Sequence, residues 1–93
     1  MFDIFTGGAR VLTTDDVGDA LISHVRAVAG HGSTEVVNFP GLVDGIPAVA
    51  SVTVGEGIEF VALHLPDGLT GSLKGEALAV AALRQRTSDL LDE

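Results

Sequence analysis

The side chains best able to do chemistry are three histidines, His24, His31 and His64, and one imidazole–hydroxyl fragment, Gly30-His31-Gly32-Ser33. Histidine changes charge closest to neutral pH, which makes it the first place to look for acid–base work or a metal ligand. A zinc site needs three or four converging nitrogen, oxygen or sulfur ligands, and no HxH, HxxxH or HExxH spacing occurs. A metal set of His24, His31, His64 and an aspartate would have to be assembled entirely by the fold. His24 and His64 therefore read as boundary or partly buried histidines bonded to backbone groups. In Gly30-His31-Gly32-Ser33 the glycines let backbone N–H groups cup an anion, and His with Ser begins a base–nucleophile pair. Yet Gly30 is equally explained as a helix cap and Gly32 as a turn residue. There is no G-x-S-x-G elbow, and no third group is placed to orient the imidazole.

The other chemical suggestions are weaker still. Gly7-Gly8 and Gly55-Glu56-Gly57 lack the lysine of a phosphate-binding loop, and each joins two strand-like segments rather than a strand and a helix. Asp15, Asp16 and Asp19 stand where any helix dipole favours acids, and Glu56 and Glu59 stand at an expected turn. No catalytic, cofactor-binding or metal-ligating residue is assigned from the sequence. No cofactor is expected, and the balance leans away from an enzyme.

Composition narrows the classes further. Ninety-three residues make one small domain. A chain of this size buries roughly 60–65% of its unfolded surface, so its stability is marginal unless it associates. Four Phe, one Met and neither Trp nor Tyr leave Ala, Val and Leu to build the core. The absence of cysteine excludes disulfides, thiolate zinc sites, iron–sulfur clusters and a cysteine nucleophile. Five basic against thirteen acidic residues give a formal charge of −8, which repels phosphate backbones. Of Arg10, Arg26, Lys74, Arg84 and Arg86, only Arg84 and Arg86 are neighbours. Nucleic acid is thus a disfavoured partner. Met1-Phe2-Asp3-Ile4-Phe5 has no basic stretch followed by an apolar one, and no apolar run approaches the ~20 residues of a membrane span. A cytoplasmic location without membrane attachment is the expectation.

The elements that must position these residues follow from pattern and punctuation. Phe2–Thr6 and Ala9–Thr13 are β-prone, and Gly7-Gly8 between them predicts a tight hairpin. Thr13-Thr14-Asp15-Asp16 supplies cap oxygens and early acids for a helix carrying Val17, Ala20, Leu21, Val25, Val28 and Ala29 at helical spacing, closed by Gly30. Asp19, Ser23, Arg26 and Ala27 fall on its outer face, and Gly18 inside it suggests close approach of a neighbouring backbone. Thr34 to Phe39 predicts a strand ended by Pro40-Gly41, with Leu42 to Pro47 as a connection. Ala48–Val54 and Ile58–Leu65 follow, with Gly55-Glu56-Gly57 predicting a hairpin between them. The second of these strands is apolar on both faces, which predicts a central place in the sheet. Ser72 is the expected cap of a final helix running from Leu73 to about Leu91.

That last helix holds the run Ala77-Leu78-Ala79-Val80-Ala81-Ala82-Leu83, apolar on every side, where a surface helix needs only one apolar stripe. Leu73, Ala77, Val80, Leu83, Thr87 and Leu90/Leu91 make the core stripe; Leu78, Ala81 and Ala82 are left for a partner chain. The segment from Val52-Thr53-Val54 to Leu91, a hairpin followed by a helix, resembles the second half of the YbaB/EbfC nucleoid-associated proteins. The resemblance implies a dimer and, as an alternative function, nucleic-acid association; it carries over no residues. The expected fold is α+β, a single domain of order ββαβββα, with a mostly antiparallel sheet and two helices packed on one face. The expected function is that of a small acidic interaction protein (adaptor, chaperone or regulatory subunit), dimeric through Leu78, Ala81 and Ala82. A small enzyme with histidines at a dimer interface is the further alternative.

Overall fold

A computed structural model describes residues 1–66 and 73–92. Strands β1 (Phe2–Thr6) and β2 (Ala9–Thr13) form the expected hairpin, with Thr6 opposite Ala9. Gly7 and Gly8 take φ values of 56° and 82°, the double left-handed turn that matches strand twist and that side chains with a Cβ resist. Helix α1 (Asp15–Gly30) starts where the Thr14 hydroxyl accepts the Val17 N–H, with Asp15 and Asp16 complementing the dipole in the first turn.

Three details of α1 differ from expectation. Ala27 is buried rather than on the outer face, and Ala29, expected on the apolar stripe, is exposed beyond the last turn that faces the sheet. The helix closes two residues later, too: His31 is the cap and Gly32, at φ 68°, makes the left-handed turn assigned to Gly30. Gly18 does mark a close approach, but of a ring rather than a backbone: a Cβ there would lie 2.1 Å from Cδ2 of Phe2.

The middle of the chain corrects the sequence reading most. Strand β3 (Thr34–Val43) runs straight through Pro40-Gly41, and β4 (Ile46–Gly55) begins before Pro47. They pair over their whole length around Asp44-Gly45, whose φ values of 52° and 79° make a two-residue turn. In such a hairpin Val43 and Ile46 exchange both backbone bonds, and bonded pairs then alternate along the ladder. Pro40 and Pro47 both fall on the alternate, outward-facing positions. Neither costs the β3–β4 ladder a bond, so neither ends a strand. Pro40 leaves its mark on the other side: β2 meets β3 through the single pair Leu12↔Leu42, and beyond it Thr13 donates its hydroxyl to the Pro40 carbonyl at 2.8 Å.

Strand β5 (Phe60–His64) pairs with β1, giving the antiparallel order β4-β3-β2-β1-β5. The expected β4–β5 hairpin does not exist, and β5 is an edge rather than a central strand. Gly55-Glu56-Gly57 opens a connection between opposite edges; the Glu56 N–H donates to the Ser33 carbonyl at 3.0 Å. Curling of the sheet makes so short a connection possible, and the Thr6 hydroxyl reaches the Thr53 carbonyl at 3.5 Å. The apolar character of both β5 faces has a different cause. Phe60 and Ala62 pack on the core, while Val61 and Leu63 stay exposed.

Helix α2 (Glu76–Leu91) starts after Gly75, not at Leu73, and the expected cap Ser72 lies outside the described residues. Leu83 is its one buried residue, with Val80 packed beside it against the core; Ala77 and Leu91 leave the expected stripe and are exposed. Helix α1 covers the inner sheet face, and α2 lies along α1 and β3. Ile4, Val17, Ala20, Leu21, Val37, Phe39 and Val54 form the centre of the core. Each large aliphatic side chain there contributes about 1.5–3 kcal/mol of burial. No helix among the described residues is long and apolar enough to cross a membrane.

Candidate functional site

The three histidines go to three different places. His24 projects from α1 into the junction with β3 and α2 and is fully buried. Its Nδ1 lies 3.0 Å from Thr87 Oγ1 of α2, and its Nε2 lies 3.0 Å from Glu35 Oε1 of β3. Arg86 donates to the same carboxylate oxygen. His24 is therefore not the boundary histidine with a backbone partner that the sequence suggested; both its partners are side chains. Hydroxyl, imidazole and carboxylate stand in the order of a nucleophile–base–acid relay. Burial and hydrogen bonding decide against that use. The ring has no surface to offer a substrate, and the Thr87 hydroxyl donates to the Leu83 carbonyl one turn back at 2.7 Å. The cluster is a clasp joining three elements, and α2, poor in buried side chains, gains much of its attachment from it.

His31 and Ser33 serve the end of α1. The His31 N–H donates to the carbonyls of Ala27 and Val28, and the Ser33 hydroxyl donates to the Val28 carbonyl at 3.2 Å. These bonds satisfy carbonyls that a helix terminus leaves open. The serine hydroxyl of the fragment thus caps the helix. His64 is exposed on β5, its ring centroid 4.8 Å from that of Phe2 and its Nε2 3.2 Å from Asp15 Oδ1. The Met1 amine meets the same carboxylate at 2.7 Å, and that hydrogen bond, helped by His64, holds the Asp15 carboxyl below its ordinary range. Among the described residues, no three histidines, aspartates or glutamates converge as a metal site would require.

One polar pair was legible in the sequence and overlooked. The Gly7-Gly8 turn sets Phe5 opposite Arg10 and Asp3 opposite Leu12. That register brings Asp3 and Arg10 into diagonal reach. Arg10 Nε lies 3.1 Å from both carboxylate oxygens and Nη2 2.9 Å from Oδ2, while the guanidinium carbon sits 5.5 Å over the Phe5 ring. The bond to Asp3 raises the Arg10 pKa further above its ordinary value. Asp3 is only 4% exposed although it lies on the outer sheet face, because Arg10 covers it. Arg86 is similarly tied to Glu35, and Arg84 reaches Ser23 at 3.5 Å. Arg10, Arg84 and Arg86 are thus engaged one by one, with partners on three different elements, rather than gathered in a stripe that could follow a phosphate backbone.

Part of the exposed surface is apolar. Leu78 is 80% exposed, with Ala81 and Ala82 exposed beside it on α2. On the outer face of the sheet Val36, Val49, Val61 and Leu63 are exposed, a surface that the sequence reading hid by placing β5 in the centre.

Comparison of the chain with protein-family models, with curated proteins and with solved structures finds no match. The resemblance to the YbaB/EbfC proteins gains no support there. Its basis is also altered, because the expected β4–β5 hairpin is replaced by a crossing between opposite sheet edges.

Proposed function

We propose that this protein is a small non-enzymatic interaction protein, an adaptor or regulatory subunit, that works as a homodimer by burying apolar surface. The observation that carries this is the set of large apolar side chains left in solvent: Val36, Val49, Val61 and Leu63 on the sheet, Leu78 and Leu91 on α2. A small chain with so little aromatic core has most to gain from covering them. The placement of His24 in the clasp, with both ring nitrogens next to side chains of other elements, supports the non-enzymatic reading. Within this proposal the outer face of α2, with Leu78, Ala81 and Ala82, is a contact for another chain. Three side chains within little more than one turn fall well short of the about 800 Å² per partner of a standard interface, so that patch works as part of a larger contact or for a second, different partner.

Static light scattering on the purified chain tests the proposal. The expected mass is twice the 9.5 kDa of one chain. A mass of one chain at high micromolar concentration would remove it. Leu78→Asp then asks whether the α2 patch takes part: a monomer that stays folded assigns the dimer contact to α2, and an unchanged dimer leaves the patch for a different chain.

A further inference from the structure

Among the described residues, the outer edge of β4 is the least defended part of the sheet. Proteins ordinarily blunt an edge strand with charge, proline, a bulge, shortness or a covering segment. The other edge, β5, is five residues long. β4 runs ten residues, Ile46-Pro47-Ala48-Val49-Ala50-Ser51-Val52-Thr53-Val54-Gly55, without one charged side chain in a chain of net charge −8. Val49, at its middle, is 72% exposed. Among the described residues Pro47 blunts it, Leu73, Lys74 and Gly75 border it beside Pro47, Ala48 and Val49, and the Thr6 hydroxyl meets it at the Thr53 carbonyl.

The groups that face outward follow from the turn. Val43 and Ile46 flank a two-residue turn and form a bonded pair, so Ile46, Ala48, Ala50, Val52 and Val54 turn their backbone groups toward β3. Pro47, Val49, Ser51 and Thr53 turn theirs away. Two observations agree with this phase: the Thr53 carbonyl is free to accept the Thr6 hydroxyl, and proline, lacking an N–H, stands at an outward position. The edge thus offers three donors, from Val49, Ser51 and Thr53. It offers three open carbonyls, from Pro47, Val49 and Ser51, and a fourth, from Thr53, that is already engaged.

This pattern is complementary to itself. We propose that β4 pairs with β4 of a second copy, antiparallel about a two-fold axis, with Val49 opposite Ser51 of the partner subunit. Each Val49–Ser51 pairing exchanges two backbone bonds. Thr53 then stands opposite Pro47 of the partner subunit and donates its N–H to that carbonyl. The return bond is impossible because proline has no N–H, and the carbonyl that would miss it is the one Thr6 already satisfies. The neighbouring registers are worse matched. Pro47 opposite Ser51 leaves the Ser51 carbonyl without a donor; Val49 opposite Thr53 brings an N–H to a carbonyl already in use. In the favoured register small or uncharged side chains meet on both faces, Ala50 against Ala50 of the partner subunit and Val49 against Ser51. β4 itself sets no like charges against each other, although each copy carries −8.

This inference rests on the self-association proposed above and adds where it occurs, leaving the α2 patch for a different chain. Light scattering on the full chain tests both, and the outcomes separate. Ser51→Pro removes an outward donor without touching the β3 ladder; it should convert a dimer to a monomer with an unchanged far-UV circular dichroism spectrum. Val49→Lys keeps every donor but sets charge on the edge, and should weaken the dimer at least tenfold, which decides the matter if the proline variant fails to fold. The chain has no cysteine, so Ala50→Cys introduces one thiol per copy. Directly opposed residues are within disulfide reach, whereas Ala48→Cys would place two thiols four residues, or about 14 Å, out of register. Mild oxidation should cross-link Ala50→Cys and not Ala48→Cys. A wild-type monomer overturns the self-association itself. A dimer that survives both Ser51→Pro and Val49→Lys, or that Leu78→Asp dissolves, overturns the β4 assignment alone. Assemblies that grow with concentration overturn it as well, since only a two-fold contact closes.

Discussion

Replacing Thr87 by valine tests whether the His24 cluster is the clasp described above. Thr and Val share shape and β-branching, so helix propensity and volume barely change. What changes is that Nδ1 of a fully buried imidazole, 3.0 Å from the hydroxyl, loses its partner where no water can replace it. A buried polar atom left unsatisfied costs about 1–3 kcal/mol. The second bond lost, from the hydroxyl to the Leu83 carbonyl, matters less, because that carbonyl also belongs to the backbone ladder of α2. The expected destabilisation is therefore about 2 kcal/mol, or a Tm lower by about 10 °C in a domain of this size. His24→Leu combined with Thr87→Val removes both partners and sets two apolar side chains against each other, while Glu35 keeps Arg86. The double variant should be more stable than Thr87→Val alone. With neither Trp nor Tyr in the chain, thermal melts followed by far-UV circular dichroism at one fixed protein concentration are the suitable assay. A Thr87→Val variant within 0.5 kcal/mol of wild type, or a double variant less stable than the single one, would refute the clasp.

Two further outcomes follow from contacts on the sheet. Gly18→Ala gains about 1 kcal/mol of helix propensity but drives a methyl to 2.1 Å from the buried Phe2 ring, where overpacking costs about 1–3 kcal/mol. A net loss of up to about 2 kcal/mol is expected, with Phe2→Leu partly rescuing it in a double-mutant cycle of thermal melts; a stabilised Gly18→Ala would contradict the packing. Arg10→Met uncovers the 4% exposed Asp3 carboxylate and strips it of its three guanidinium contacts. Its Tm should fall, and adding Asp3→Asn should restore part of the loss, because the neutral amide no longer needs a counter-charge. An unchanged Tm in Arg10→Met would mean that water alone serves Asp3.

Much of the architecture is written in local signals. Gly7-Gly8, Thr14 with Asp15 and Asp16, and the Val17–Val28 spacing each dictate their element through backbone sterics, capping or burial. The β1–β2 hairpin and the start of α1 stand where those signals put them. Where two local signals compete, the sequence misleads. Gly55-Glu56-Gly57 and Asp44-Gly45 both read as turns, and only the partnering of whole strands decides which one makes a hairpin. The two prolines appeared to break the strands, because whether a missing N–H matters depends on which side of the strand it faces, and that follows from the turn selected. The site residues divide the same way. Asp3 and Arg10 could have been paired from the first hairpin's register. The His24 clasp could not, since Glu35 and Thr87 reach it from separate elements whose packing no local spacing encodes. Ser33 looked reactive for want of knowing that the Val28 carbonyl would claim its hydroxyl.

The proposed role depends on the chain finding a second copy of itself, and its mass in solution tests that most directly. Light scattering across a concentration series should give twice the 9.5 kDa chain mass for the wild type and one chain mass for Ser51→Pro at the same concentration. A wild-type chain that stays at 9.5 kDa up to high micromolar concentration would contradict the account.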